Sequence, residues 1–123
     1  MQFLDATRGW AVGREGTILA TTDAGRSWQM QTSGTSAGLE SVQFLDATRG
    51  WAVGRFGTIR TTTDAGRSWQ MQTSGTTAWL NSVRFLDATR GWAVGEQGTI
   101  LTTADAGRSW QVQRRGTTAR LDP

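Results

Sequence analysis

Three aspartates recur at one spacing, and they are the residues whose chemistry first needs an explanation. Each has a Thr two residues before it and a Ser four residues after it; they are Asp23, Asp64 and Asp105. Repeated carboxylates can ligate a metal or act as catalytic acids. An Asp at the start of a turn also accepts hydrogen bonds from nearby backbone N–H groups, while Gly supplies the left-handed conformation that follows. We favour a turn cap repeated three times.

The composition removes most other catalytic chemistry. The 123 residues contain no Lys, His, Cys or Tyr. Without His or Cys, ordinary zinc, haem and iron–sulfur ligation, a Ser-His-Asp triad and a thiol nucleophile are excluded. Without Lys, a Schiff base and a P-loop lysine are excluded. We therefore expect no metal, no cofactor and no enzyme.

The charge pattern excludes some classes of partner. A net charge of +3 permits an acidic partner without demanding one. Nucleic-acid binders usually carry a dense basic stripe, whereas here only Arg114, Arg115 and Arg120 cluster. No apolar run approaches the ~20 residues of a membrane helix. We expect neither nucleic-acid binding nor membrane insertion, and the absence of Cys leaves the compartment open.

The whole chain is a tandem repeat with a period of 41 residues. The period is carried by three sets of aromatic residues: Phe3, Phe44 and Phe85; Trp10, Trp51 and Trp92; and Trp28, Trp69 and Trp110. The units are 1–41, 42–82 and 83–123, and the first two agree at 34 of 41 positions. Three such similar segments predict three copies of one structure.

Short strands separated by turn signals fill each unit. In the second unit, the predicted strands A to D are residues 41–45, 51–54, 58–62 and 68–72, joined by turns at 46–50, 55–57 and 64–67. Four short strands in about 40 residues are typical of one blade of a β-propeller. A small twisted sheet cannot cover both of its faces alone, so stacked blades bury them, helped by two Trp that each bury ~150–250 Å². We predict an all-β propeller with blades at 1–41, 42–82 and 83–123.

The aspartate turn carries a resemblance to a known repeat. Its pattern, S/T-x-D-x-G-x-S/T-W, resembles the Asp-box of bacterial neuraminidase repeats. Its structural residues would be Asp23, Gly25, Ser27, Trp28, Asp64, Gly66, Ser68, Trp69, Asp105, Gly107, Ser109 and Trp110. The preceding Gly9-Trp10-Ala11-Val12-Gly13 and Gly16-Thr17-Ile18 make the unit similar to the photosystem II stability/assembly factor repeats. That resemblance implies a propeller of about seven blades acting as a non-catalytic binding scaffold, with an Arg-rich patch that holds a photosystem precursor.

Sialidases share the Asp-box, so an enzyme has to be weighed. Their chemistry needs a Tyr nucleophile with a Glu partner, an Asp acid and three Arg, and this sequence has no Tyr. Glycosidases in general need two positioned carboxylates. The acids outside the Asp-boxes are Asp5, Asp46, Asp87, Asp122, Glu15, Glu40 and Glu96, of which the first three repeat in the A–B turn. A glycan-binding or sialidase-like protein remains a remote alternative.

Two sets of candidate binding residues lie on opposite edges of the predicted blades. The A–B and C–D turns emerge on one edge and place two rings there: Arg8, Arg49 and Arg90, and Arg26, Arg67 and Arg108. Each Arg is near an Asp, so local pairing competes with binding of an acidic partner. The units differ mostly on the other edge, where Arg55, Phe56 and Trp79 are the candidate contacts with a partner and neutral drift is the alternative.

Three blades are too few for a closed ring, because known rings use about four or more. An isolated arc would expose two apolar blade faces, and closed self-association would cover them. We therefore expect a fragment or an engineered copy of an amplified propeller that assembles with itself. A homodimer with six blades is favoured over a homotrimer with nine. The alternative function is a scaffold of the assembly-factor type that recognises an acidic protein.

Overall fold

The computed structural model describes residues 2–113 and shows three four-stranded antiparallel sheets. The strands are β1 (Gln2–Phe3), β2 (Gly9–Val12), β3 (Ile18–Thr21), β4 (Gln29–Gln31), β5 (Leu39–Phe44), β6 (Gly50–Gly54), β7 (Ile59–Thr62), β8 (Gln70–Gln72), β9 (Leu80–Phe85), β10 (Gly91–Gly95), β11 (Ile100–Thr103) and β12 (Gln111–Gln113). Arg114, Arg115, Arg120 and Asp122, which the sequence analysis named, lie outside the described residues. Across residues 2–113, no helix has the length and apolarity that crossing a membrane requires.

Each sheet is a simple meander in which neighbouring strands pair in chain order. The all-β fold with three propeller blades is confirmed. In the second unit, two strand limits differ from the prediction by two residues and three others by one. Strand A of the second sheet begins at Leu39, because a bulge between Leu39 and Ser41 lets it pair with Gly54 before the regular register starts. Strand D begins only at Gln70, because the backbone N–H of Ser68 is committed to Asp64 instead of a neighbouring strand.

The core of the protein lies in the seams between the sheets. In the first seam, Phe44 stacks on Trp10 of the preceding sheet with ring centroids 3.5 Å apart, and Trp69 meets Phe44 edge-on at 5.7 Å. In the second seam, Phe85 stacks on Trp51 at 3.5 Å and meets Trp110 edge-on at 5.8 Å. The preceding sheet thus contributes one Trp, and the following sheet contributes the Phe and the second Trp.

A glycine under each phenylalanine makes this stacking possible. A Cβ on Gly50 would come within 2.8 Å of the Phe44 ring, and one on Gly91 would come within 2.7 Å of the Phe85 ring. The ring therefore lies flat over bare backbone on its own sheet while its other face meets the Trp of the preceding sheet. The Gly before each Trp of strand B is a packing requirement of the seam.

The aspartate turns hold the second Trp of each seam. In the second unit, Asp64 Oδ1 accepts bonds from the Thr62 hydroxyl at 2.7 Å and the Ser68 N–H at 2.9 Å, while Oδ2 accepts the Ser68 hydroxyl at 2.7 Å. The Gly66 N–H donates to Thr62 Oγ1 at 2.9 Å. Ala65 and Gly66 both have left-handed backbone, with φ of 67° and 89°, although the sequence pattern indicated only the Gly. The same bonds recur around Asp23 and Asp105.

These hydrogen bonds stabilise the ionised carboxylates. The Ser68 hydroxyl, then the Ser68 N–H and the Thr62 hydroxyl, lower the pKa of Asp64 to about 2. The pKa values of Asp23 and Asp105 are lowered to about 2 by the equivalent Ser and Thr groups. The ionised carboxylate supplies the oxygen acceptors for the Thr and Ser donors of the turn, so each of these Asp side chains acts as a structural anion.

Replacing Gly50 with Ala tests the seam. The added Cβ would push the Phe44 ring off Trp10, and overpacking of this kind typically costs 1–3 kcal/mol, so we expect a loss of about 2 kcal/mol in the free energy of unfolding. Gly13→Ala is the matched control, because a Cβ added there would meet nothing within 4 Å and the backbone is already extended. Urea unfolding followed by Trp fluorescence measures both, and equal stabilities for the two variants would contradict the role of Gly50.

Acid should weaken the fold through the aspartate turns. In the unfolded chain these carboxyls titrate near 3.8, and in the folded chain near 2, so the folded state binds fewer protons between those values. The contribution of these carboxylates to the free energy of unfolding is therefore fully present above about pH 4, and it is lost as the pH decreases toward 2. Urea midpoints at pH 6, 4, 3 and 2 measure this decline. Asp64→Asn removes one titrating group and is expected to flatten it, whereas an unchanged slope would refute the contribution of Asp64.

Candidate functional site

The turns and loops of the three blades lie on two opposite edges. On the first, here called the turn edge, the C–D turn is joined to the A–B turn by a backbone bond of 2.9 Å, from Ala65 N–H to Thr48 O in the second unit. On the second, here called the loop edge, the D–A loop meets the B–C turn, as in the 2.9 Å bond from Arg55 N–H to Gly38 O. The predicted grouping of the four connections is therefore present in the structure.

The first set of arginines on the turn edge is paired within its own turn. Arg49 donates from Nε at 2.9 Å and from Nη2 at 2.7 Å to Asp46 Oδ2, while Asp46 Oδ1 accepts the N–H groups of Thr48 and Arg49. The Arg49 side chain and backbone N–H hold the pKa of Asp46 well below its usual range. The same ion pair joins Arg8 to Asp5 and Arg90 to Asp87. Much of the charge of these guanidiniums is thus neutralised locally.

The second set of arginines on the turn edge is different. Arg26, Arg67 and Arg108 are exposed, and no hydrogen bond or ion pair engages their guanidiniums within residues 2–113. The aspartates of the same turns are committed to Thr and Ser side chains. The turn edge carries equal numbers of carboxylates and guanidiniums. Because these charges cancel at a distance, the long-range electrostatic field of this edge is weak. Its capacity for anions comes from three unpaired guanidiniums at equivalent positions of the three blades.

On the loop edge, the three candidate residues Arg55, Phe56 and Trp79 form one cluster. The guanidinium carbon of Arg55 lies 4.4 Å from the centroid of the Trp79 ring, and Phe56 meets Trp79 edge-on at 5.9 Å. Phe56 is 63% exposed and Trp79 is 37% exposed. Phe56 also has φ of 60°, a left-handed conformation that is costly for a bulky residue. The cluster presents an apolar surface beside a cation.

An open cleft of about 790 Å³ lies beside this cluster, between the B–C turns of the first and second blades. The residues that line it include Arg14, Glu15, Gly38, Glu40 and Phe56. The equivalent space between the second and third blades is about 350 Å³, and Trp79, which occupies the repeat position of Gly38, lines it. The narrower space accompanies several changes between the units, including Trp79 for Gly38 and Gln97 for Phe56.

Two residues of the loop edge were missed by the sequence analysis. Glu40 Oε2 lies 3.5 Å from Arg55 Nε and forms an ion pair with it. Arg60 Nη2 donates to Gly34 O at 2.9 Å, joining the second blade to the loop of the first. Both residues depart from the repeat, with Asn81 at the position of Glu40 and Leu101 at that of Arg60. That departure was the signal that could have identified them.

No group of three acidic side chains within residues 2–113 converges on a point where a metal ion could bind. The two edges offer groups that can contact a binding partner. These are unpaired guanidiniums on the turn edge and an aromatic–cation cluster on the loop edge. Charge-assisted hydrogen bonds and aromatic contacts are the means by which proteins hold peptide segments.

Two solved structures resemble this chain. The structure described as "YCF48 bound to D1 peptide" is 29% identical, with a TM-score of 0.79 over 89% of this chain and 37% of that chain. YCF48 from Cyanidioschyzon merolae is 24% identical, with a TM-score of 0.71 over 85% of this chain and 32% of that chain, and this likeness concerns the fold alone. The chain thus spans about a third of the length of these structures. A comparison with curated protein sequences gave no match.

A family model supplies the stronger relationship. The model described as photosynthesis system II assembly factor YCF48 matches residues 1–74, which is more than half of the 123 residues. The Gly-Trp-Ala-Val-Gly strand and the aspartate turn, which carried the resemblance in sequence, are both within that match. This chain belongs to the YCF48 family of photosynthesis system II assembly factors.

Proposed function

We propose that this chain is a non-catalytic propeller protein that completes a ring by head-to-tail association of its copies. The blades are the units 1–41, 42–82 and 83–123, and the twelve Asp-box residues are structural. One observation carries the proposal: the two ends of the described arc are complementary halves of the seam that the chain already forms twice. Self-association would extend an existing interface, with no new one required.

The third blade offers the first half of a seam. Trp92 is 41% exposed, whereas its repeat equivalents Trp10 and Trp51, which stack on phenylalanines, are 3% and 2% exposed. Val94 beside it is also exposed, whereas Val53 at the equivalent position of the second blade is buried. This face therefore presents an apolar surface with an empty stacking position.

The first blade offers the second half. Phe3 is 43% exposed, whereas Phe44 and Phe85 are buried. Phe3 already meets Trp28 edge-on, with centroids 6.1 Å apart and an interplanar angle of 80°, as the phenylalanines of the two internal seams meet Trp69 and Trp110. Only the stacked Trp of a preceding blade is lacking, and Trp92 of a second copy supplies it.

We favour a dimer with six blades over a trimer with nine, because a dimer needs only two chains to meet. Light scattering coupled to size exclusion is expected to give about twice the chain mass of 13.4 kDa. A well-folded monomer at high concentration would contradict self-assembly, and a threefold mass would replace six blades with nine.

The variant Trp92→Ala tests the seam directly. Loss of a buried Trp from an interface commonly costs 2 kcal/mol or more, so the dissociation constant is expected to rise about 30-fold or more for each of the two seams of a dimeric ring. Sedimentation equilibrium measures it. Phe56→Ala is the matched control, since it removes an exposed aromatic side chain from the loop edge and leaves both seam halves intact. Equal dissociation constants for the two variants would overturn the assignment of the interface.

A second candidate function, compatible with the first, is a scaffold that binds an acidic protein segment. The observation that favours it is the set of unpaired guanidiniums on the turn edge: Arg26, Arg67 and Arg108. A similar protein is bound to a D1 peptide, which supports a protein partner here. We propose that these arginines make the charged contacts, and that Arg55, Phe56 and Trp79 on the loop edge form a separate apolar contact surface. The paired set Arg8, Arg49 and Arg90 contributes mainly to turn structure.

Two triple variants separate the arginine sets. Changing Arg26, Arg67 and Arg108 to Gln is expected to weaken binding of a labelled D1 peptide about tenfold, because each exposed charge contact contributes up to about 1 kcal/mol. Changing Arg8, Arg49 and Arg90 to Gln is expected to lower thermal stability and to change peptide affinity less. Fluorescence anisotropy and thermal unfolding give the two readouts, and the reverse ranking would refute the proposed division.

A further inference from the structure

A pair of glutamines forms a clamp across the internal seams. Gln2 of the first blade donates from Nε2 to Phe44 O at 3.1 Å and accepts the Phe44 N–H at its Oε1. Gln43 of the second blade accepts the Phe85 N–H in the same way. Each glutamine lies opposite a stacking Trp in its own sheet, since Gln2 pairs with Trp10 and Gln43 with Trp51. Each glutamine therefore hydrogen-bonds to the backbone of the same Phe on which the Trp of its own sheet stacks.

The third blade carries Arg84 at this position. Arg84 lies opposite Trp92 in the β9–β10 register, as Gln43 lies opposite Trp51. Its side chain is exposed, and no hydrogen bond or ion pair engages it within the described part of the chain. The one departure from glutamine thus falls on the open blade face, beside the empty stacking position.

The two side chains differ in the chemistry that they offer. A glutamine amide provides both an N–H donor and a carbonyl acceptor, whereas a guanidinium provides five N–H donors and no acceptor. Arg84 can donate to a backbone carbonyl, as Gln2 donates to Phe44 O. It cannot accept a backbone N–H. When a second copy docks, the N–H of its Phe3 occupies the position of the Phe44 N–H and meets a group that cannot bond to it.

We propose that Arg84 weakens the seam between copies relative to the seams within a chain, and so sets the strength and reversibility of assembly. This inference rests on the proposed head-to-tail association. A buried N–H without an acceptor lowers an association constant about 5- to 150-fold. A dimeric ring contains two such seams, so the effect acts twice per ring. Assembly then responds to concentration, while each chain keeps its own blades together.

The experiment compares Arg84→Gln with Arg84→Met in sedimentation equilibrium. Gln restores the hydrogen-bond acceptor. Met has a similar length and removes the charge, but it supplies no such acceptor. We expect Arg84→Gln to lower the dissociation constant of the dimer at least about 30-fold relative to Arg84→Met, about fivefold for each of the two seams. If the two variants associate equally, the acceptor is irrelevant and the inference is overturned. Tighter association of Arg84→Gln, without tighter association of Arg84→Met, supports the inference even where the unaltered chain is largely monomeric.

A second arm tests the clamp without any association. Gln43→Arg places at an internal seam the residue that the third blade carries, and Gln43→Met removes the amide at similar length. Both are expected to lower the melting temperature by about 4 °C or more, since the Phe85 N–H loses its acceptor. Unchanged melting would overturn the clamp.

The two sets of variants distinguish failure of the proposed self-association from failure of the inference about Arg84. An unaltered chain and an Arg84→Gln variant that are both monomeric, with Gln43 variants that melt early, would overturn the proposed self-association and the inference about Arg84 with it. An unaltered chain that dimerises, with Arg84→Gln no tighter than Arg84→Met, would overturn the inference about Arg84 alone.

Discussion

Each internal seam depends on one phenylalanine held between two tryptophans from different blades. Phe44 lies flat on Trp10 and edge-on to Trp69, and Phe85 repeats the arrangement with Trp51 and Trp110. A blade of strands only two to six residues long cannot bury its own faces. The aromatic interlock buries them against the neighbour, and aromatic pairs contribute about 0.5–1.5 kcal/mol beyond the area they bury. Neighbouring blades therefore complete each other's core at both internal seams.

Several local features exist to serve this interlock. The Gly of strand B leaves room for the phenylalanine ring, as at Gly50 below Phe44. The capped turn at Asp64 directs the chain so that Trp69 enters the seam just before strand D begins. Changes at these positions disturb two blades at once. The turn edge is consequently the same in all three units, whereas the loop edge, which lies outside the interlock, is free to differ.

The same constraint shapes the surfaces available for recognition. An arc built from identical interfaces ends in the two halves of that interface, here the exposed Trp92 and Phe3. On the turn edge, the capped turns present one paired and one unpaired arginine per blade. On the loop edge, the units differ at several positions, and Trp79 at the repeat position of Gly38 supplies one ring of the aromatic cluster. Function in a family with this fold is carried by such local differences on a common frame.

Much of the fold could be predicted from the sequence, because its signals are local and occur three times. The 41-residue period, the Gly-bounded strands and the Asp turns each predict structure within a few residues, and repetition turns them into blades. The strand limits were less accurate, since the bulge at Leu39 and the late start at Gln70 depend on which backbone groups find partners. The candidate cluster of Arg55, Phe56 and Trp79 was also indicated by the positions at which the units differ.

The sequence by itself determined the all-β repeat, the blade count and the exclusion of His, Cys, Lys and Tyr chemistry, because composition and period are properties of the chain alone. Only the tertiary structure decided which arginines are paired, where Glu40 and Arg60 act, and that Arg84 stands where Gln2 and Gln43 clamp the next blade. Which arginines are paired depends on the geometry of each turn, and Arg55 meets Glu40 within one blade. The bond of Arg60 and the clamps of Gln2 and Gln43 are contacts between blades whose partners lie far apart in sequence. Such contacts follow from how the sheets stack, and no local pattern encodes them.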